Sequence, residues 1–143
     1  MGAVTKEIQI HAAPEKVFAY VADFSRHPEW ATYPLKVTAP AGSATTGTAY
    51  DSVGHQMGRD IADHVTVKEV VPNQRLVYEA SGSSGTFRHV MELKAANGGT
   101  VLRKSFEAVS LPLMGKLMFP VVKRTLVPKG LQTDLEKIKA KVE

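Results

Sequence analysis

Residues 111–143 read LPLMGKLMFPVVKRTLVPKGLQTDLEKIKAKVE and form the longest helical pattern in the chain. Apolar residues in this stretch are spaced so that they fall on one side of a helix, while most lysines and arginines fall outside that row. The apolar row consists of Leu117, Val121, Leu131, Leu135, Ile138 and Val142. Because such a helix needs an apolar surface to lie on, the stretch predicts a terminal helix resting on a sheet built by the preceding residues.

Two prolines interrupt the predicted terminal helix. Pro120 and Pro128 each lack an N–H donor and clash with the carbonyl four residues earlier, so we expect the helix to kink or divide there. Residues 129–142 would then cross the domain, and residues 111–127 would form a looser part near the mouth of a cavity.

The residues before the terminal helix show the two-residue alternation of β-strands. Residues 4–11 alternate in this way, and Pro14 with Glu15 then marks the start of a short helix. Ser25 begins a second short helix that runs to Trp30. Further strands, separated by turn residues, are predicted at 35–39, 48–53, 61–71, 76–80, 86–95 and 100–109.

Turn residues join these strands into an antiparallel meander. Residues 54–58 are predicted as one turn, and Asn97 followed by two glycines predicts a hairpin, since these residues accept positive φ angles at low cost. A strand, two short helices, a run of strands and one long helix together predict an α+β fold. Because strand twist accumulates, we expect a sheet of six to seven strands to curl around the terminal helix.

Composition predicts an ordinary globular protein with one domain over residues 1–143. The chain is 43% hydrophobic and 22% charged, with a net charge of +4. It has no cysteine, which excludes disulfides and thiolate metal ligands and favours a cytoplasmic location, and residues 1–10 show no secretory pattern. We attribute the excess positive charge to a solvated helix face and expect no nucleic-acid binding, because basic and aromatic residues are not interleaved.

Three segments resemble one known superfamily. They are IHAAPEKVFAYVAD at 10–23 with HPEW at 27–30, VKEVVPNQRLVY at 67–78, and GGTVL at 98–102. Together they resemble the START/Bet v 1-like (SRPBCC) superfamily, in particular its bacterial polyketide cyclase/dehydrase and lipid-transport branch. The resemblance implies a helix-grip fold, in which a curved antiparallel sheet wraps around a long C-terminal helix and two short helices follow the first strand. Members carry lipids, hormones, quinones or polyketides, and some catalyse cyclisation or dehydration, so the fold alone assigns no function.

Alternation along the last two predicted strands places a mainly apolar set of side chains on one face. We expect this face to line a cavity together with apolar residues from the first part of the terminal helix. The predicted cavity residues are Phe87, His89, Met91, Leu102, Lys104, Phe106, Met114, Leu117, Met118 and Val121. Methionines adapt to irregular partners, which suits a cover over variable ligands, although they fill an ordinary core equally well.

Lys104 and His89 are the polar members of that face. A lysine in a low-dielectric site either pairs with a carboxylate or loses its proton, and both states are useful in acid–base catalysis. The structural alternative for Lys104 is a buried stem whose ammonium reaches water at the edge of the sheet. The alternative for His89 is a hydrogen-bonded core histidine.

Two functions from different classes follow as hypotheses. The first is binding or transport of a small hydrophobic ligand, such as a lipid or a polyketide, in the cavity. The alternative is a polyketide cyclase or dehydratase-like enzyme in which His89, Lys104 or Tyr78 supplies acid–base catalysis. A third and weaker hypothesis is a protein-interaction module that uses the basic terminal helix, and a transient membrane contact is a further expectation for the same element.

Asp60, Asp63 and His64 form the other polar cluster of the sequence. In a strand, His64 and Asp63 point to opposite faces, and Asp60 lies too far along for a direct pair with His64. A metal would need ligands from other strands, such as His55 or His89, and the spacing is not that of zinc sites. The sequence also lacks a phosphate-binding loop and a dinucleotide-binding glycine pattern, so we expect neither a metal nor a cofactor.

Overall fold

A computed structural model describes residues 2–143 of the protein. The chain begins with strand β1 (Val4–Ile10), followed by helix α1 (Pro14–Val21), a 3-10 turn (Phe24–Arg26) and the short helix α2 (His27–Trp30). The later elements are β2 (Leu35–Val37), β3 (Ala49–Gln56), β4 (Arg59–Val71), β5 (Arg75–Gly82), β6 (Gly85–Ala96), β7 (Gly99–Ser110) and the long helix α3 (Leu113–Val142). This order confirms the predicted α+β helix-grip fold.

The seven strands form one curved antiparallel sheet in the order β1-β7-β6-β5-β4-β3-β2. Each strand from β2 to β7 pairs with its neighbour in sequence, whereas β1 pairs with β7 and places Ile8 opposite Leu102. The predicted hairpin between β6 and β7 is confirmed, because Asn97 and Gly98 have φ angles of 52° and 76°.

The end of β3 differs from the prediction. The strand runs to Gln56 and the turn is made by Met57 and Gly58, whose φ angles are 53° and 78°, so a turn beginning at Gly54 is wrong. Gly54 stays within the ladder with β4. A β-carbon at Gly54 would lie 2.6 Å from Tyr33 Cε2, so the glycine lets the Tyr33 ring lie directly against the strand.

Helix α3 is continuous over Leu113–Val142. Of the two predicted alternatives, a division at Pro120 or Pro128 is therefore wrong, and a kink at these residues stays a prediction. Each proline removes one backbone hydrogen bond, but the surrounding helical hydrogen bonds remain. Phe119 and Leu131, which lie beside the two prolines, are both buried, and Phe119 packs against Ala108 of β7. No helix among residues 2–143 is both long enough and apolar enough to cross a lipid bilayer.

The main core lies between the concave face of the sheet, α1, α2 and the second half of α3. Its fully buried side chains include Trp30, Tyr78, Met91, Leu102, Leu135 and Ile138. The predicted apolar row of the terminal helix is confirmed for this half, where Leu131, Leu135, Ile138 and Val142 are buried.

The first half of α3 turns a different side towards the sheet. Phe119 packs in a smaller cluster with Ala108 and Leu111, whereas Leu117 and Val121 are 67% and 61% exposed. A residue two positions from Phe119 points about 200° away from it around the helix. The prediction that Leu117 and Val121 belong to the buried row is therefore wrong, because α3 crosses a curved sheet and its contact side changes along its length.

Candidate functional site

The structure brings Tyr78, His89 and Lys104 together on the concave face of three neighbouring strands. Tyr78 of β5 lies opposite His89 of β6, and Lys104 of β7 lies opposite Met91 of β6. Met91 follows His89 by two residues, so the two side chains share one face of the strand. The other predicted strand residues also share this face, with Met91 and Leu102 buried and Phe87 and Phe106 half-buried.

Lys104 ends inside the protein, with only 2% of its side chain exposed. Its Nζ lies 3.3 Å from His89 Nδ1 and 3.6 Å from Asp134 Oδ2 of α3. Removal from water lowers the pKa of Lys104, and the carboxylate of Asp134 opposes this by raising it. The ammonium therefore does not reach water at the edge of the sheet, and its main ionic partner is Asp134.

Asp134 is the member of this cluster that the sequence analysis missed. The Thr32 hydroxyl lies 2.5 Å from Asp134 Oδ1 and donates to it, which fixes the carboxylate beside Lys104. Asp134 follows Leu131 by three residues and precedes Ile138 by four, so it lies on the same side of α3 as the buried row. That spacing is the one signal that could have identified it.

His89 is a neutral hydrogen-bonding group in this setting. Burial lowers the pKa of His89 well below its usual value, and the charges of Lys104 and His27 lower it further. Because an ammonium can only donate, His89 Nδ1 accepts from Lys104, and the ring proton is assigned to Nε2. Tyr78 stacks on the His89 ring with centroids 4.6 Å apart, and burial raises the pKa of the Tyr78 phenol. The cluster thus presents N–H and O–H donors.

Several buried polar atoms near this cluster have no hydrogen-bond partner among residues 2–143. They are His27 Nδ1, Trp30 Nε1, Tyr50 Oη and Tyr78 Oη, with Asp63 Oδ1 further along the concave face. The His27 ring stacks on Trp30 with centroids 4.1 Å apart, and the Lys104 Nζ lies 5.7 Å from the centre of the Trp30 ring. An unpaired buried donor or acceptor costs about 1–3 kcal/mol. Buried polar atoms in proteins are paired with protein groups, ordered water or a bound molecule, so these atoms are available to a polar partner from outside the chain.

The four predicted cavity residues of α3 do not join the Lys104 cluster. Met114, Leu117, Met118 and Val121 are each more than half exposed on the outer side of the helix. Phe119 lies on the inner side, with its ring centroid 6.3 Å from that of Phe87 and 6.4 Å from that of Phe106. One phenylalanine, and not a set of methionines, therefore covers this end of the concave face.

The surface grooves include one beside α1 and one beside α3, and neither of these is lined by Lys104. One has a volume of about 360 Å³ and lies between α1 and the β4–β5 turn, beside Phe18 and Pro72. The other has a volume of about 510 Å³ and lies between β1 and the first half of α3, beside Val4 and Phe119. Buried side chains of the concave face and of the second half of α3 pack together in the main core. The internal cavity expected from the sequence stays a prediction.

The remaining histidine and carboxylate pairs lie on the exposed surface of the β3–β4 hairpin. His55 Nδ1 is 3.0 Å from Asp60 Oδ1, and His64 Nδ1 is 3.0 Å from Asp51 Oδ1. Within residues 2–143 there is no group of three or more histidine or carboxylate side chains placed to hold a metal ion. Each pair is a surface contact between neighbouring strands.

A family model described as polyketide cyclase/dehydrase and lipid transport matches residues 1–143. The chain belongs to this family. Its resemblance to the SRPBCC superfamily is thereby confirmed over the whole sequence. A search of curated proteins finds no match.

Solved structures share the fold of this polyketide cyclase/dehydrase family member. A protein of Chromobacterium violaceum is 20% identical, with a TM-score of 0.77 and coverage of 100% of this chain and 99% of the other. A protein of Thermus thermophilus is 19% identical, with a TM-score of 0.78 and coverage of 99% and 97%. A protein of Arthrobacter aurescens is 12% identical, with a TM-score of 0.76 and coverage of 98% and 85%. At these identities the likeness establishes the fold and leaves the ligand to be argued from the site.

Proposed function

We propose that this protein binds a small, mainly apolar molecule with a carbonyl or carboxylate oxygen, and that this oxygen contacts Lys104. The observation that carries the proposal is a buried ammonium with an unused donor. Lysine has three N–H donors, and among residues 2–143 its hydrogen-bond partner is His89, with Asp134 at the longer distance of 3.6 Å. A ligand oxygen would take the remaining donor and add a charge-assisted hydrogen bond.

Aromatic side chains beside Lys104 supply the apolar part of the proposed site. Phe87 and Phe106 stack with centroids 5.2 Å apart, and the His89 ring meets Phe106 edge-on at 5.1 Å. These three side chains are only half-buried, although they lie on the concave face. An apolar ligand would complete their burial, which contributes roughly 25 cal/mol per Å² of apolar surface removed from water. The family description, which names lipid transport, supports a ligand of this class.

The test uses a matched pair of probes, acetylnaphthalene with a carbonyl group and ethylnaphthalene without one. Trp30 is the single tryptophan and lies 5.7 Å from Lys104 Nζ, so its fluorescence reports on this site. We expect saturable quenching by both probes, with the ketone bound at least about tenfold more tightly, since a hydrogen bond to a charged group contributes roughly 1.5–3 kcal/mol.

The control compares two lysine variants. Lys104→Met should abolish the preference for the ketone, whereas Lys129→Met, which changes an exposed lysine of α3, should retain it. Equal affinities for the two probes in the unmodified protein would contradict the role of Lys104. Absence of saturable binding of either probe and of a panel of fatty acids would contradict ligand binding on the concave face.

A second candidate is a cyclase that closes a ring by an aldol reaction and then removes water. The lowered pKa of Lys104 favours it, because the neutral amine that could take a proton from carbon forms more readily than in a free lysine. The donors of Tyr78 and His89 would then hold the substrate carbonyl oxygen. Binding remains the better supported function, since a charged Lys104 leaves the cluster with donors and no free base.

A linear diketone whose ring closure yields a conjugated cyclohexenone and one water tests the cyclase. Product would be followed by the ultraviolet absorbance of the enone, and its rate should rise with pH as Lys104 loses its proton. The double variant with Lys104→Met and His89→Phe should show no turnover above the uncatalysed rate. Product formation at the uncatalysed rate in the unmodified protein, or full activity in the double variant, would exclude this reaction.

A further inference from the structure

The first half of α3 exposes a contiguous apolar surface that no part of residues 2–143 covers. Its members are Leu113, Met114, Leu117, Met118 and Val121, each more than half exposed. At about 100° per residue these positions occupy an arc of roughly 140° on one side of the helix. We call this set the α3 apolar surface. Large side chains exposed side by side in this way mark a site of contact with something outside the protein.

The charge around the α3 apolar surface has one sign. No aspartate or glutamate occurs between Glu107 and Asp134, and the cations in that interval are Lys116, Lys123, Arg124 and Lys129. None of these four forms an ion pair within residues 2–143. The first three also line the 510 Å³ groove between β1 and α3, directly beside the apolar surface. The α3 apolar surface therefore faces outward and is bordered by cations without an ion-pair partner.

We infer that the α3 apolar surface docks on a lipid bilayer with anionic headgroups. Apolar side chains of an interfacial helix enter the headgroup and acyl boundary, while lysine and arginine pair with lipid phosphates. A second copy of this chain fits less well, because a symmetric contact would bring the cations of one copy against those of the other. The docking goes beyond the ligand site and does not depend on what Lys104 binds.

The first experiment measures sedimentation of the full chain with vesicles of phosphatidylcholine alone or mixed with phosphatidylglycerol. Binding is expected on the anionic vesicles and should weaken as salt screens the charges. Lys116→Glu with Arg124→Glu should reduce the partition coefficient about 25-fold or more, since each basic residue near the surface contributes roughly a fivefold factor and the two factors multiply. The control is Lys68→Glu with Lys94→Glu, which makes the same charge change at exposed positions of β4 and β6 and should leave the partition within about twofold if the contact is local.

The second experiment tests orientation. The chain has no cysteine, so Met118→Cys and Met57→Cys each create a single labelling site for a polarity-sensitive fluorophore. Met57 is an exposed residue of the turn between β3 and β4, which lie towards the other side of the sheet from β1 and β7, the strands that α3 contacts. Anionic vesicles should shift the emission of the label at position 118 to shorter wavelength and leave the label at position 57 unchanged.

Three outcomes would overturn the inference. They are no partition onto anionic vesicles, equal spectral shifts at the two labelled positions, and equal loss of binding in the two charge-reversed variants. A spectral shift at position 118 that depends on protein concentration without vesicles, with a doubled mass by light scattering, would assign the surface to self-association instead.

Discussion

Asp134→Asn should destabilise the protein by about 2–4 kcal/mol, because it leaves the Lys104 ammonium buried without its carboxylate. The charges are 3.6 Å apart in the folded protein. At an effective dielectric constant near 20 this separation corresponds to an attraction of about 4–5 kcal/mol. Loss of the proton from Lys104 in the variant would recover part of that energy, which gives the smaller expected value.

The partner substitution should behave differently although it breaks the same ion pair. Lys104→Met replaces a side chain that is 2% exposed with an apolar one of similar length, so the charge that is most completely removed from water is no longer present. Asp134 remains 15% exposed and keeps the hydrogen bond from Thr32. We expect a change below about 1 kcal/mol for this variant. The double variant with Lys104→Met and Asp134→Asn should have the same free energy of unfolding as Lys104→Met alone. An uncharged amide at position 134 destabilises the protein only when a buried ammonium lies beside it.

Urea unfolding measures these differences, with Trp30 fluorescence reporting on the site and circular dichroism on the whole fold. The transitions should coincide and share one slope, so that the midpoints give the differences in the free energy of unfolding. The reasoning is refuted if Asp134→Asn unfolds at the midpoint of the unmodified protein, or if Lys104→Met loses several kcal/mol. The second result would mean that the ammonium itself stabilises the fold.

Three further predictions concern packing and pH. Phe119→Ala should lower the free energy of unfolding by about 2–4 kcal/mol, because Phe119 is buried. Leu117→Ala should lower it by less than about 0.5 kcal/mol, because Leu117 is exposed. Equal losses for the two variants in urea unfolding would contradict the assignment of Phe119 to the inner side of α3. Gly54→Ala should cost about 1–3 kcal/mol because its β-carbon would lie 2.6 Å from the Tyr33 ring, and a thermal midpoint equal to that of the unmodified protein would disprove this contact. Burial lowers the pKa of His27 from 6.5 to about 3, so its contribution to stability is complete above the unfolded value and is lost as pH falls from 6.5 towards about 3. His27→Phe should therefore flatten the acid side of the stability curve measured by urea unfolding, and an unchanged slope would show that His27 is not the group responsible.

Local side-chain patterns were sufficient to predict an α+β fold with a sheet curling around a terminal helix, and the resemblance to a known superfamily added the helix-grip architecture. Period-two alternation and the turn at Asn97 place the strands, and the apolar row from Leu131 to Val142 places the second half of α3. The same alternation correctly puts His89 and Lys104 on one face of β6 and β7, because a strand fixes the direction of every second side chain whatever lies above it.

Other features depend on contacts between segments that are far apart in the sequence. The partner of Lys104 comes from α3, and spacing along α3 shows only that Asp134 lies near the buried side, not which strand it meets. Leu117 and Val121 match the period of the buried row, yet they face outward because the curved sheet meets Phe119 instead. Glycine at position 54 resembles a turn residue and is in fact required by the Tyr33 ring. Local sequence thus determined the elements and their faces, whereas the curvature of the sheet and the path of α3 across it decided which side chains meet and which are left exposed.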